Sequence, residues 1–367
     1  MRPDLLSTRL RWGVLAVLGS AALLGVGVHS HNPFHAGHAT PFRHTLVVYG
    51  RHTLTPAQVI ALERAASGRA LPVISFELPL ASGVPAFPTI PVAAVVVDPE
   101  AYGKTAAAPE LTDQLARGVV LAKTEARLRH ASVGSQLHLV GGRTLQVAGV
   151  VDDSVLGGYE LAATAAQIPP PAGASYLLVP DSVDQRALRR ATPEIGLRIV
   201  ARTRNGFVSD DDTVLTQLQL KSRFGEFSTG TVDGRLRLDR KWISDWLASA
   251  SLPQLGVVTC NRLVLPALRA AMVEVTQRGL GSTIDTADFR REGGCWSPRV
   301  VRLGDGGRIS SHAWGVAVDI NGDANVLGQA PHQDPRLVAI MRAHGFVWGG
   351  DFLRPDGEHF EWVGTYS

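Results

Sequence analysis

The pattern of apolar and polar residues is strongest near the start of the chain, where an uncharged run from Trp12 to Val28 follows three arginines. Such a run is at the short end of what can span a hydrocarbon core, and the arginines predict that everything after His29 lies outside the cytoplasm. The run exceeds the usual apolar region of a signal peptide, and no clean small-residue cleavage site follows it. A retained signal anchor over residues 1–30 is therefore favoured over a cleaved signal peptide, with residues 31–44 as a solvated linker.

Between residues 45 and 235, short apolar runs alternate with helix-like stretches, which predicts a separate mixed α/β domain outside the cytoplasm. Strands are predicted at 44–50, 92–99, 175–180 and 197–202. Gly141-Gly142 lies between two alternating runs and predicts a hairpin turn. A helix is predicted to begin after Thr55 as N-cap, with Pro56 in its first turn, and to end at Gly68.

A turn-rich stretch at 230–240 predicts a boundary and a second domain over residues 236–367. The pattern predicts, in order, a helix capped by Asn261 and ended by Gly279, a strand over 282–289, a helix capped by Asp334 and ended by Gly345, and a strand, turn and strand over 347–363. The expected fold class is therefore α+β, with a small antiparallel sheet and flanking helices in the C-terminal domain.

Composition narrows the possible partners. The chain has 367 residues, is 45% hydrophobic and has a formal net charge of +3. This describes a globular protein long enough for two domains. Because no run of five or more basic residues is present, nucleic acid is not expected as a partner. Residues 45–235 carry no recognisable catalytic motif, and binding of a protein partner is the possible role considered for them.

The chain has two cysteines, Cys260 and Cys295. In the oxidising compartment that the anchor predicts, the simplest expectation is a disulfide, which closes a loop of about 35 residues and stabilises the fold by roughly 3–4 kcal/mol. Thiolate metal ligands would need a C-x-x-C partner that the sequence lacks. Two free buried thiols are the remaining alternative.

The stretch SSHAWGVAVDIN, residues 310–321, places His312 and Asp319 inside an apolar segment. A hydrolytic zinc site needs three nitrogen or oxygen ligands and one open position, and these residues supply two of them. Side chains seven residues apart face opposite sides of a regular strand, so His312 is expected in a bend that Gly315 permits. His359 is the best third ligand, because an unpaired imidazole would be costly among its aromatic neighbours.

A hydrolytic metal site also needs a general base, a carboxylate near the metal that is not itself a ligand. The residues around His359 offer three candidates, Asp356, Glu358 and Glu361. Local spacing alone leaves all three open.

The motif S-x-H-x-x-G-x-A-x-D over Ser310–Asp319, followed by an acidic residue three positions before a histidine, resembles the VanY-type D-alanyl-D-alanine carboxypeptidases. That group includes the L-alanyl-D-glutamate endopeptidases of phage lysins, and the resemblance covers roughly residues 240–365. It implies zinc ligands at His312, Asp319 and His359 and a catalytic acid/base at Asp356.

The local pattern agrees with this choice of base. The sequence RPDG is a β-turn signature that would fold Asp356 back beside His359. Glu361 has the strand parity to lie on the side of His359 and to orient its imidazole.

The same resemblance implies an arginine before the motif that holds the substrate carbonyl or carboxylate and stabilises the oxyanion. Arg299 in GGCWSPR is the first candidate. Arg290 is the second, because this loop departs from the G-Y-R form of better-known members.

These expectations combine into a membrane-anchored, extracytoplasmic zinc peptidase that acts on the peptide stems of peptidoglycan. Either the D-Ala-D-Ala bond or an internal L-Ala-D-Glu bond is a possible target, since pocket shape decides between them. The alternative is a non-catalytic wall-binding or scaffold protein that uses the peptidase fold for recognition.

Overall fold

The computed structural model of the protein describes residues 42–50, 52–201, 214–291, 294–301, 307–352 and 354–364. The predicted anchor, Trp12 to Val28, and nearly all of the predicted linker lie outside these ranges. In the ranges that are described, none of the helices is both long and apolar enough to pass through a membrane.

One large mixed sheet dominates the chain up to residue 238. Its strands are β1 (Thr45–Tyr49), β2 (Leu71–Ala81), β3 (Thr89–Val96), β4 (Val119–Ala122), β5 (Gln136–His138), β6 (Thr144–Val151), β7 (Leu161–Ala163), β8 (Tyr176–Pro180), β9 (Arg198–Ala201), β10 (Thr229–Val232) and β11 (Arg235–Leu238). Nine strands follow the order β5-β6-β4-β7-β3-β2-β8-β1-β9, and β10 joins β3 to β11. The β3–β7 and β4–β6 pairs are parallel, and the other pairs are antiparallel.

Six helices accompany this sheet in the described residues. They are α1 (Pro56–Ala65), α2 (Pro99–Thr105), α3 (Glu110–Arg117), α4 (Lys123–Leu128), α5 (Gln185–Ala191) and α6 (Gln217–Phe224). Thr55 caps α1 as predicted and forms a reciprocal capping box with Gln58. The predicted hairpin is also present, since Gly141 and Gly142, with φ of 94° and 87°, turn the chain between β5 and β6.

The C-terminal part is α+β, as the sequence predicts. Its elements are α7 (Arg240–Trp246), β12 (Leu247–Leu252), β13 (Gly256–Asn261), α8 (Leu265–Gln277), α9 (Thr286–Arg291), β14 (Val300–Val301), β15 (Arg308–Ile309), β16 (Ala317–Asp319), α10 (Pro335–Ala343), β17 (Phe346–Trp348) and β18 (His359–Trp362). Strands β12 and β13 form a hairpin, β14 pairs with β15, and β16-β18-β17 form a small antiparallel sheet.

The predicted strand over 282–289 is wrong. A short 3₁₀ turn and helix α9 occupy this stretch. The carboxylate of Asp285 accepts hydrogen bonds from the backbone N–H groups of Ala287 (2.9 Å) and Asp288 (3.0 Å). This N-capping interaction favours a helix more strongly than the β-branched residues before it favour a strand.

The predicted cap at Asn261 is also wrong, although the helix itself is present. Asn261 ends β13, and α8 begins at Leu265 after Val264. The Asn261 side chain accepts a hydrogen bond from the Leu263 N–H (3.1 Å) and donates one to the Trp314 carbonyl (3.2 Å). It therefore stabilises the turn before the helix and links that turn to the His312 segment.

The hydrophobic core of the C-terminal part reaches back before residue 236. Leu215, Leu220, Phe224 and Phe227 pack in the same buried cluster as Trp314. The domain boundary at 235/236 stays a prediction. Helix α6 and the residues beside it therefore form part of the hydrophobic core that contains Trp314 of the SSHAWG segment.

Candidate metal centre

His312 lies in a bend that local residues and deep packing define together. The Ser310 hydroxyl accepts a hydrogen bond from the His312 N–H (3.3 Å), and residues Ser311–Trp314 form one 3₁₀ turn. Gly315 ends the turn with a φ of 65°, and a Cβ there would lie only 2.8 Å from the Asn261 nitrogen. The fully buried Trp314 anchors the bend by donating to the Gly225 carbonyl (3.0 Å). The predicted bend is thus confirmed.

Asp319 and His359 lie side by side because β16 and β18 pair in register. They are direct partners in this antiparallel pair, so their side chains project from the same face of the sheet. Both side chains are buried, as is His312. The register therefore brings together residues that are far apart in sequence.

Three potential metal-ligand atoms meet at this point. His312 Nε2 lies 3.0 Å from Asp319 Oδ1, His359 Nδ1 lies 3.1 Å from the same oxygen, and the two ring nitrogens are 3.2 Å apart. Zinc bonds of about 2.0–2.2 Å in tetrahedral geometry separate ligand atoms by about 3.3–3.5 Å. The three residues that the sequence proposes as ligands thus form a group that could hold a metal ion.

The charge of the cluster favours a cation. Burial acts to raise the pKa of Asp319, but the two histidines outweigh it and hold the pKa well below its usual range. Burial lowers the pKa of His312. Burial would also lower the pKa of His359, but Asp319 and Glu361 raise it to about 10. The centre therefore retains a proton in the absence of metal, and a bound cation would displace it.

Each of the three residues has a partner outside the cluster. His312 Nδ1 lies 2.9 Å from the Cys295 carbonyl, to which it can donate, and Asp319 Oδ2 accepts from Arg299 Nη2 (3.2 Å). His359 Nε2 lies 3.7 Å from Glu361 Oε2. These contacts leave His312 Nε2, Asp319 Oδ1 and His359 Nδ1 facing one another, and contacts of this kind orient ligands in metal sites.

Glu361 is itself held by a distant part of the chain. Its Oε1 accepts hydrogen bonds from the backbone N–H groups of Leu215 (2.9 Å) and Val214 (3.2 Å). Its placement beside His359 agrees with the predicted strand parity. The two amides and the Cys295 carbonyl are missed by sequence reasoning, because backbone groups are present at nearly every position and give no signal.

Asp356 is folded back toward His359. The Asp356 carbonyl accepts from the His359 N–H (3.2 Å), and the Asp356 N–H donates to the Gly349 carbonyl (2.8 Å). The turn therefore spans residues 356–359 and not the predicted RPDG stretch at 354–357. The half-buried Asp356 carboxylate is close enough to contribute to the raised pKa of His359.

Glu358 is a second carboxylate near the centre. Burial, followed by the charges of Asp319 and Asp356, raises its pKa to about 7. Its carboxylate packs against Gly322. The structure therefore keeps two of the three proposed bases, Asp356 and Glu358, near the metal centre, and it gives Glu361 an orienting contact.

The two candidate arginines have different surroundings. Arg299 contacts Asp319 and keeps 45% of its side chain exposed next to the centre. Arg290 is exposed on α9, where its charge helps to lower the pKa of Asp285. The structure brings the first candidate to the centre and places the second on the exposed surface of α9.

The predicted pairing of Cys260 with Cys295 is present as a disulfide, with Cα atoms 5.2 Å apart. Both residues are buried. The bridge joins the end of β13 to the segment whose Cys295 carbonyl and Arg299 contact His312 and Asp319.

Comparison with known proteins agrees with this geometry. No curated protein matches the chain. Residues 304–362 match the model of a family described as D-alanyl-D-alanine carboxypeptidase, and the matched stretch holds His312, Asp319, Asp356 and His359. Over residues 304–362 the chain is therefore similar to the D-alanyl-D-alanine carboxypeptidase family, and this segment contains the three residues that could hold a metal ion.

Proposed function

We propose that this protein is a membrane-anchored zinc peptidase that hydrolyses the peptide stems of peptidoglycan outside the cytoplasm. The observation that carries the proposal is the convergence of His312 Nε2, Asp319 Oδ1 and His359 Nδ1 within 3.0–3.2 Å of one another. The family match over residues 304–362 supports the reaction class. The predicted anchor at Trp12–Val28 supports the proposed location at the membrane, outside the cytoplasm.

The donor set of two imidazoles and one carboxylate fits zinc, which commonly takes three such ligands in catalytic sites and keeps a fourth position open. A zinc ion held there supplies a Lewis acid that polarises the scissile carbonyl and lowers the pKa of water. The protein's own contribution is to hold the three donors in place and to keep His312 in one tautomer through the Cys295 carbonyl.

Asp356 is the proposed general base. It removes a proton from the attacking water and returns one to the leaving amine. Arg299, with its exposed side next to Asp319, donates to the developing oxyanion or to a carboxylate of the peptide. A guanidinium has five N–H donors, so the contact with Asp319 leaves others for substrate.

Metal binding is the first test. Elemental analysis of the full chain should find one zinc per molecule, and His359→Ala should lose it. His344→Ala is the matched control, because His344 also faces a carboxylate, Glu274 Oε2 at 2.8 Å, and lies outside the centre. An equal loss of zinc in both variants, or no zinc in the wild-type protein, would sink the assignment.

Peptide release is the second test. The metal-loaded protein is incubated with stem peptides that carry either a D-Ala-D-Ala end or an L-Ala-D-Glu bond, and mass spectrometry identifies the products. Cleavage of one bond names the activity. Stoichiometric zinc without release of any product would instead support the alternative, a wall-binding protein that uses the peptidase fold for recognition.

A further inference from the structure

The segment Gly294–Arg299 contains one cysteine of the disulfide, Cys295, and it contacts His312 and Asp319 of the metal centre. Its backbone also forms hydrogen bonds with the elements on either side. The Trp296 N–H donates to the Thr259 carbonyl of β13 (3.0 Å), and the Ser297 N–H donates to the His312 carbonyl (3.1 Å). The segment is therefore attached on one side to β13 and on the other to the His312 bend.

The first ligand that it controls is His312. The Cys295 carbonyl accepts from His312 Nδ1 at 2.9 Å, which keeps the proton on Nδ1 and leaves Nε2 as a lone-pair donor. A carbonyl cannot donate in return, so this contact excludes the other tautomer. A movement of Cys295 would release the ring and mix the two tautomers.

The second ligand is Asp319, which the segment holds by backbone and side chain. The Asp319 N–H donates to the Gly294 carbonyl (3.2 Å). Arg299 Nη2 donates to Asp319 Oδ2 (3.2 Å). Because Arg299 engages Oδ2, the other carboxylate oxygen, Oδ1, is aimed at the two imidazoles.

The disulfide ties this segment to the hydrophobic core. Cys260 and Cys295 are 0% and 2% exposed, and the Asn261 N–H next to Cys260 donates to the Gly315 carbonyl at the end of the His312 bend (2.9 Å). One end of the bridge is therefore fixed to the same strand that supports the ligand bend. The carbonyl of its other end fixes the ligand ring.

We propose that the disulfide-tethered segment Gly294–Arg299 sets the metal affinity of the centre, with Arg299 acting as a positioning residue for Asp319 in addition to any contact with substrate. The inference rests on the metal centre proposed above, but not on which peptide bond is cleaved. Opening the Cys260–Cys295 bridge then weakens metal binding while the ligands themselves are unchanged.

The test measures metal affinity on the full chain, by zinc competition with a chromophoric chelator and by the visible absorption of bound Co²⁺. The first variant is Cys260→Ala/Cys295→Ala. Alanines are chosen because free thiolates would bind zinc themselves. Loss of contacts that orient ligands typically weakens metal binding about 10–100-fold, and that weakening is expected here, together with a changed Co²⁺ spectrum.

The second variant, Arg299→Gln, tests the contact of the segment with Asp319 without touching the disulfide, so the role of the segment in metal affinity is tested even if the cysteine variant does not fold. We expect weaker zinc binding in Arg299→Gln and partial rescue in Arg299→Lys. The matched control is Arg336→Gln, which removes another exposed arginine that donates to an aspartate, Asp334 (2.7 Å). Its zinc affinity should equal that of the wild-type protein.

Unchanged zinc affinity and an unchanged Co²⁺ spectrum in folded Arg299→Gln would overturn the positioning role. Unchanged affinity in a folded cysteine variant would overturn the role of the bridge. Failure of the wild-type protein to bind either metal would overturn the proposed metal centre itself, so the two failures are distinguishable. The melting temperature of each variant, measured after a chelator has removed the metal, shows whether the variant is folded.

Discussion

Two buried polar clusters in this protein solve the problem of buried charge in opposite ways. One is the centre of His312, Asp319 and His359. The other surrounds Lys221 on α6, whose Nζ lies 2.8 Å from Glu160 Oε1, 3.3 Å from Glu226 Oε1 and 2.6 Å from the Pro91 carbonyl. In the second cluster the chain supplies its own cation to the carboxylates. In the first, the ligand atoms of His312, Asp319 and His359 face one another.

This difference separates a self-neutralised structural cluster from a group of side chains that could hold a metal ion. A buried charge is tolerated when it is paired and hydrogen-bonded, and Lys221 satisfies this condition with Pro91 of β3, Glu160 just before β7 and Glu226 just after α6. Convergence of donors is tolerated only when a proton or a metal ion lies among them. The raised pKa of His359, about 10, reports that a proton takes this place when metal is absent.

The largest expected effect is on the rate of peptide release, which one variant should lower without loss of zinc and another should lower together with zinc content. Asp356→Asn should lower the rate of peptide release by roughly 10²–10⁴-fold, the usual contribution of a positioned acid/base, while zinc stays bound. Asp319→Asn removes a charged ligand and should reduce zinc content as well as rate. Rates and zinc content are measured on the same preparations. Full activity in Asp356→Asn, with activity lost and zinc retained in Glu358→Gln, would move the base to Glu358.

The next effect tests the structural cluster. Lys221→Met leaves buried carboxylates without their ammonium partner, and breaking a buried pair in this way costs about 3–5 kcal/mol of unfolding free energy. Denaturant unfolding measures the loss, and zinc stoichiometry of the folded protein should not change. Lys241→Met is the control, because its partner Asp245 is on the surface and exposed pairs contribute little. Loss of zinc in Lys221→Met would contradict the separation of the two clusters.

A smaller effect is expected from Glu361, which links the backbone of Val214 and Leu215 to His359 of the metal centre. Glu361→Gln weakens the contact with His359 Nε2 but keeps an acceptor for the amides of Val214 and Leu215. Zinc affinity should fall about 10–100-fold. Glu274→Gln, which alters the carboxylate facing His344, should leave the affinity unchanged. Equal affinities in the two variants would show that Glu361 does not orient the ligand.

The smallest effect is a pH dependence of the unfolding free energy that is caused by Glu77, a neighbour of the Lys221 cluster. Burial, followed by the charge of Glu160, raises the pKa of Glu77 from 4.5 to about 7, against smaller lowering effects of Gln217, Lys221 and Arg308. The folded protein therefore keeps a proton that the unfolded chain loses, so this contribution to stability is complete below pH 4.5 and is lost as the pH rises through about 7.

Glu77→Gln should flatten this slope in unfolding free energy measured between pH 4.5 and 8. Part of the slope should remain, because burial also raises the pKa of Glu125. A wild-type protein whose stability rises over this range, with the same rise in Glu77→Gln, would contradict the assignment.

Local signals in the sequence predict a good part of the fold. The caps at Thr55 and Asp334, the glycine hairpin and the small C-terminal sheet are where the patterns indicate. The failure at 282–289 is also local, since the capping carboxylate of Asp285 decides for a helix. The order of strands in the large sheet follows from pairings between distant residues, which periodicity does not contain.

For the metal centre, the sequence by itself determines the kinds of donor, their order along the chain and the bend that Gly315 makes possible. These properties are carried by side-chain identity and short spacing. Tertiary structure alone decides that Asp319 pairs with His359 across β16 and β18, that the Cys295 carbonyl holds His312, and that Val214 and Leu215 hold Glu361. Strand register and backbone hydrogen bonds depend on how the whole chain packs, and a carbonyl or an amide looks the same at nearly every position until the fold brings it to its partner.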